Sequence, residues 1–272
     1  MTDQADRCRL FLDLHHVDAP LLLPNPWDVG SAKLLTHLGF KALATTSAGH
    51  AATLGRLDGG VSRDEALEHA TLIAGATELP VSADFENGFA AEPEVVAANV
   101  RLAAETGLAG LSIEDYSRHD DDPIYDIGLA TARVEAAAEA AHGGEARLVL
   151  TARAENYLHD RPDVTDTIAR LQAFQEAGAD VLYAPWIVDP AEIKAVVESV
   201  DLPLNVLARP DGPTVSELAA LGVARVSVGG ALSLAALAAL NRAASEFLDH
   251  GTYDFFGEVA EGSAVRDAAF EV

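Results

Sequence analysis

Cysteine is all but missing from this chain of 272 residues, where Cys8 stands alone. An intrachain disulfide and a cysteine-built zinc site are therefore both excluded, which fits a reducing compartment. Positive charge is also scarce. Lys and Arg total 18 against 43 Asp and Glu, a formal net charge of -25, so phosphate backbones and anionic membrane surfaces are repelled. No apolar run approaches the ~20 residues that span a bilayer. A stretch such as LSLAALAAL (232–240) is too short, and the opening MTDQADRCRLFLDLHH lacks the basic flank and apolar core of a signal peptide. These absences predict a cytoplasmic protein with neither nucleic acid nor membrane as a partner.

What the chain does have is ample core material, 49% hydrophobic against 22% charged residues. Eight short apolar runs recur: LLLPN (21–25), ALATTS (42–47), PVSADF (80–85), GLSIED (110–115), RLVLTARAE (147–155), DVLYAPW (180–186), LPLNVLA (202–208) and RVSVGG (225–230). Stretches with apolar residues at three- and four-residue spacing separate them, as in SRDEALEHATLIAGATEL and DVTDTIARLQAFQEAG. Strand then helix, eight times over, predicts an α/β fold of the TIM-type (β/α)8 barrel class. The barrel is expected over 1–250, closed by an eighth helix at about 231–250. The segment 251–272 carries Tyr253, Phe255, Phe256 and Phe270, more aromatic surface than a finished monomer needs. It is expected to be an oligomerisation tail, with C-terminal helices exchanged between subunits of a homodimer or homotetramer.

Barrel enzymes work at the carboxyl ends of their strands, and here those ends are rich in chemistry. Strand two runs into Thr45, Thr46, Ser47 and Ala48, strand three into Asp84 and Glu86, strand four into Glu114 and Asp115. Strand five ends in Arg153 and Glu155, strand seven supplies Asn205, and Asp58 lies in the LGRLDGG loop. Asp84 and Glu86, two apart at a strand end, would face one space and repel each other without a positive partner. A hard divalent cation, Mg²⁺ with its waters held by outer carboxylates, satisfies that need. Pairing with Arg153, or capping of neighbouring loops, satisfies it as well. An arginine beside a metal suits a small carboxylate or 2-oxo acid.

Taken in order, PNPWDVGSAKLLTHLGFKALATTSAG, LGRLDGG, PVSADFENGF, GLSIED, TARAENY, EAGAD (176–180) and LGVARVSVG resemble the isocitrate lyase and phosphoenolpyruvate mutase superfamily, from about Leu21 to Gly230. The resemblance implies a barrel that binds Mg²⁺, with Mn²⁺ as a substitute, and a substrate that passes through an enolate. It implies that Asp84 is the direct metal ligand, while Asp58, Glu86 and Glu114 hold the metal's waters. Arg153 resembles the substrate-binding arginine, and Ser47 with Ala48, or Thr46 in an alignment shifted by one, the loop that grips the carboxylate. Catalytic roles then fall to Arg153, Glu114 and Asp58, with Asn205 as a further substrate contact.

Two departures limit the analogy. The region EDYSRHDDDPIYDIG has neither the cysteine-bearing loop of isocitrate and methylisocitrate lyases nor the Asn, Lys and Thr of the phosphonate enzymes. A histidine expected after strand six is Ala184, leaving Tyr116 and His119 as proton-transfer candidates. The expected activity is therefore that of a Mg²⁺-dependent carbon-carbon lyase on a small 2-oxo or 2-hydroxy dicarboxylic acid, with oxaloacetate decarboxylation as its leading case. A phosphonopyruvate hydrolase or mutase, and a 2-oxo acid binding protein without turnover, are the alternatives.

Overall fold

A computed structural model describes residues 3–119 and 121–270. In chain order its elements are α1 (Gln4–Asp13), β1 (Leu21–Leu23), α2 (Val29–His37), β2 (Leu43–Ala44), α3 (Ser47–Thr53), α4 (Arg63–Gly75), β3 (Val81–Asp84) and α5 (Pro93–Ala104). There follow β4 (Gly110–Glu114), α6 (Ile127–His142), β5 (Val149–Arg153), α7 (Val164–Glu176), β6 (Val181–Tyr183) and α8 (Pro190–Ser199). The last are β7 (Leu204–Leu207), α9 (Val215–Ala220), β8 (Arg225–Ser227), α10 (Ala231–His250) and α11 (Phe256–Phe270).

The eight strands are parallel and neighbour one another in the order β1-β8-β7-β6-β5-β4-β3-β2. Between β1 and β2 the Ala44 N–H donates to the Pro24 carbonyl at 3.1 Å, so the sheet curls into a nearly closed TIM-type barrel. Each predicted run contains one strand, shorter than the run because the strand-end residues turn outward to build loops. Helices start where a short polar side chain can occupy a free N–H. Asp28, Ser62 and Thr214 form reciprocal caps with Ser31, Glu65 and Glu217.

Two helices had no counterpart in the sequence reading. In α1, Phe11 is fully buried, and a Cβ built on Gly110 would lie 2.9 Å from its ring and 2.6 Å from the Val149 carbonyl. Only glycine at the start of β4 lets α1 seal that end of the barrel. The other, α3, follows β2 directly and begins at Ser47, inside the stretch expected to bind substrate.

The eighth helix lies where expected, yet it covers little of its own barrel. Of its 20 residues only Ser233 is buried, while Leu234, Leu240 and Leu248 are 62%, 64% and 83% exposed. After Gly251, in the left-handed region at φ 64, α11 turns back onto α2, burying Ala269 and setting the Phe270 ring beside Gly30.

Candidate active site

Asp84 ends β3, and both of its carboxylate oxygens are engaged. Oδ1 accepts from Arg153 Nη1 at 2.9 Å and Oδ2 from the Ser47 N–H at 3.0 Å. Arg153, at the end of β5, also donates from Nε to Glu155 Oε1 at 2.8 Å and places Nη2 3.3 Å from Glu114 Oε2. One guanidinium thus gathers three carboxylates from three strands, and its carbon sits 5.0 Å from the centre of the Tyr183 ring. A planar fork can do this where a lysine could not.

Glu86 departs from the strand alternation that the sequence suggested. The strand stops at Asp84, and Glu86 has a left-handed backbone (φ 49), so the two carboxylates do not simply stack on one face. Glu86 instead pairs with Arg118 from the β4–α6 loop. The positive groups that the two acids face are Arg153 and Arg118. Both acids still border connected space. A cavity of about 240 Å³ holds Asp84, Arg153 and Ser47, and a second of about 490 Å³ lies over it beside Glu86, Glu114 and Arg118. Exposed Asp58 edges both.

Electrostatics separate these acids. Burial, only partly offset by Arg153, pushes Glu114 well above the usual carboxylate range, and neighbouring Glu155, Asp84 and Asp58 push the same way. Glu155 rises to about 7, again mainly through burial. Burial alone would depress Arg153, but Glu155, Glu114 and Asp84 hold it firmly cationic. Five carboxylates, with Glu86 and Asp58, thus share two guanidinium groups. Such an excess leaves room for further positive charge.

Hard oxygen donors in that number could hold a hydrated divalent cation, Asp84 by direct ligation and Glu86, Glu114 and Asp58 through its waters. They do not fit an all-protein cage, since among the described residues no group of three acids or histidines closes tightly enough to hold an ion directly.

Other expected residues take different places. Thr45 Oγ1 accepts from the Asp84 N–H at 2.9 Å, and Thr46 Oγ1 caps α3 through the Gly49 N–H at 3.3 Å. Their hydroxyls are thus committed to backbone, while Thr46, Ser47 and Ala48 still line the smaller cavity. Asn205 also lines it, although its side chain is buried and bonded to Ser227 and Arg225. Asp115 is structural: it accepts from the Glu155 N–H at 2.8 Å and from Arg170 at 3.0 Å. His119 is exposed, whereas Tyr116 borders the outer cavity with its ring stacked on His159 at 3.9 Å.

Several lining residues escaped the sequence reading, among them Tyr183, Arg118, His159 and Arg225. Arg225 alone carried a usable signal, an arginine opening an otherwise apolar strand. Buried Arg133 on α6 was missed as well; it donates to the carbonyls of Glu114, Asn87 and Ala90 and so ties the β3 and β4 loops together.

The family model described as phosphoenolpyruvate phosphomutase matches residues 11–248. A crystal structure from Burkholderia cenocepacia J2315, described only as a lyase/mutase, superposes with a TM-score of 0.90 at 51% identity, covering 93% of this chain and 91% of that one. An uncharacterised Mycobacterium tuberculosis protein is 36% identical over 244 residues, 88% of this chain and 89% of its own. Oxaloacetate decarboxylase of Pseudomonas aeruginosa is 31% identical over 187 residues, spanning 66% of this chain and 63% of that enzyme.

Proposed function

The chain belongs to the phosphoenolpyruvate phosphomutase family, and from that premise we propose that it is a Mg²⁺-dependent carbon-carbon lyase of a small 2-oxo or 2-hydroxy dicarboxylic acid, oxaloacetate being the leading substrate. The observation that carries the reading is the single guanidinium of Arg153 held by Asp84, Glu114 and Glu155 across a small cavity from the Ser47 N–H. The likeness to oxaloacetate decarboxylase supports the choice of substrate.

When bound at Asp84, the cation supplies Lewis acidity toward the substrate's 2-oxygen. The chain's own groups do the rest. Three carboxylates fix the Arg153 plane, and two of its five N–H groups remain to meet the substrate carboxylate and the oxygen on which negative charge grows. Tyr183 against that guanidinium and Tyr116 with His159 on the outer cavity narrow the space. In decarboxylation the C3–C4 electron pair moves into the enolate as CO₂ departs, and a proton then returns to C3 to give pyruvate. Glu114 and Glu155, both raised by burial, are the acids beside the cavity able to hold that proton near neutral pH.

A Mg²⁺-supplemented screen of oxaloacetate, isocitrate, methylisocitrate and phosphonopyruvate tests this. Pyruvate and CO₂ from oxaloacetate are expected. Phosphate release from phosphonopyruvate, with oxaloacetate untouched, would replace the reading by the phosphonate alternative, and binding of all four without product would leave a binding protein.

A further inference from the structure

TIM barrels usually fill their interior with layers of branched apolar side chains. Here several inward positions are small and polar, including Ser82, Ser112, Asn205 and Ser227, and the 240 Å³ cavity runs between them from Arg153 down to Arg225 at the start of β8. Arg225 is 4% exposed. Its Nε donates to Asn205 Oδ1 at 2.9 Å, Nη1 to His15 Nε2 at 3.1 Å and Nη2 to Thr151 Oγ1 at 3.2 Å. All three acceptors are neutral. Two further N–H groups have no acceptor, and no carboxylate pairs with this guanidinium among the described residues.

The contrast with the other buried arginines is sharp. Arg153 and Arg170 each bind two or more carboxylates, and Arg133, which binds carbonyls, still feels Asp115 and Glu114. Around Arg225 only the Tyr183 oxygen helps, while Arg153 repels; burial brings it down to about 9, so it remains cationic at neutral pH. A buried charge without a counter-charge is costly. A cation of that kind facing a polar cavity too small for a large ligand calls for a small anion.

We propose that Arg225, with Asn205 and Ser227, forms an anion subsite on the cavity floor that takes one small monoanion of carboxylate size. Two sources share that chemistry: a free anion, or the second carboxylate of the substrate. The subsite stands apart from the reaction proposed above, because its occupancy is read without turnover.

The probe is formate. Thermal unfolding is followed in chelator while formate replaces gluconate at constant ionic strength, gluconate being far bulkier than the one small monoanion the subsite takes. Wild type should show a saturable rise in Tm, retained in Arg153→Lys, while Arg225→Gln should need about tenfold more formate for the same shift. Should Arg225→Gln fail to fold, wild-type crystals soaked in bromide decide: an anomalous peak in contact with the Arg225 guanidinium supports the subsite. Adding Mg²⁺ and saturating malate separates the sources. Loss of the formate response means that a substrate carboxylate occupies the subsite, and persistence means a free anion. Equal formate responses in wild type and Arg225→Gln, or bromide only at the surface, would overturn the proposal.

Discussion

Arg153 reaches Asp84 through Nη1 at 2.9 Å while the same carboxylate takes the Ser47 N–H on its other oxygen. This bond ties the ends of β5 and β3 to the start of α3. Replacing Arg153 by lysine keeps one charge but cannot serve Asp84, Glu114 and Glu155 together. Binding of oxalate, a small planar mimic of an enolate, should weaken in Arg153→Lys by about 1–3 kcal/mol. Calorimetry in Mg²⁺ measures it directly, and wild-type affinity would show that the arginine only organises the carboxylates.

On the proposed reading Asp84, which faces Arg153, is the direct ligand of the cation. A chelator should abolish turnover of oxaloacetate, and Mg²⁺ or Mn²⁺ should restore it. Asp84→Ala should not be rescued by either ion at any practical concentration, because it lacks the direct ligand and not merely a group that orients water. Mg²⁺-dependent oxalate binding by Asp84→Ala at wild-type strength would sink the metal assignment.

The barrel itself was legible because the repeat of apolar strand and amphipathic helix is long and regular, and α10, expected at about 231–250, spans Ala231–His250. Strand-end chemistry was legible too, since a parallel barrel fixes which end carries function. What escaped depends on tertiary contact. Nothing local marks α1 as a plug, because its meaning comes from Phe11 meeting Gly110, a hundred residues on. Period-two alternation misled at Glu86 because the chain leaves the strand one residue earlier, and Arg118, its partner, sits in a loop without periodicity. Arg225 drew no reading of its own, because its meaning comes from its inward register beside Asn205.

His15 links the plug to the cavity floor. Its Nδ1 faces the Phe11 carbonyl at 2.7 Å and must donate, while Nε2 faces the Arg225 donor and must accept, so the ring is neutral with its proton on Nδ1. Burial first, and then repulsion from Arg225, lower its pKa from 6.5 to about 3; His16 adds a little in the same direction. Between those values the unfolded chain takes up a proton that the folded chain refuses, so His15 costs stability as pH falls through that window. His15→Gln, which keeps an acceptor for Arg225, should flatten the decline by on the order of 1 kcal/mol per pH unit below about 6. Glu114, Glu155 and Asp115, whose raised pKa values act in the opposite sense, are common to both proteins and cancel in the difference. Parallel urea midpoints for the two from pH 6 to 4 would refute this account.

The outer surface of α10 leads to a prediction about assembly. Leu234, Leu237, Leu240, Phe247 and Leu248 are all exposed along one helix, and on the barrel wall near β1 so are Leu22 and Leu38. A helix that follows the eighth strand normally covers that wall, and here it buries only Ser233. One chain thus leaves two apolar surfaces, one on a projecting helix and one on a bare stretch of barrel. We propose that α10 of each chain covers the barrel of the other, an exchange that needs no new surface and closes with twofold symmetry. Sedimentation should then give a dimer or a dimer of dimers at micromolar concentration. Placing a charge at the centre of the face, as in Leu237→Asp, should produce smaller species or aggregation, and deleting 251–272, which removes α11 from its seat on α2, should weaken the assembly less severely. A stable 28.5 kDa monomer of the full chain would rule out the exchange.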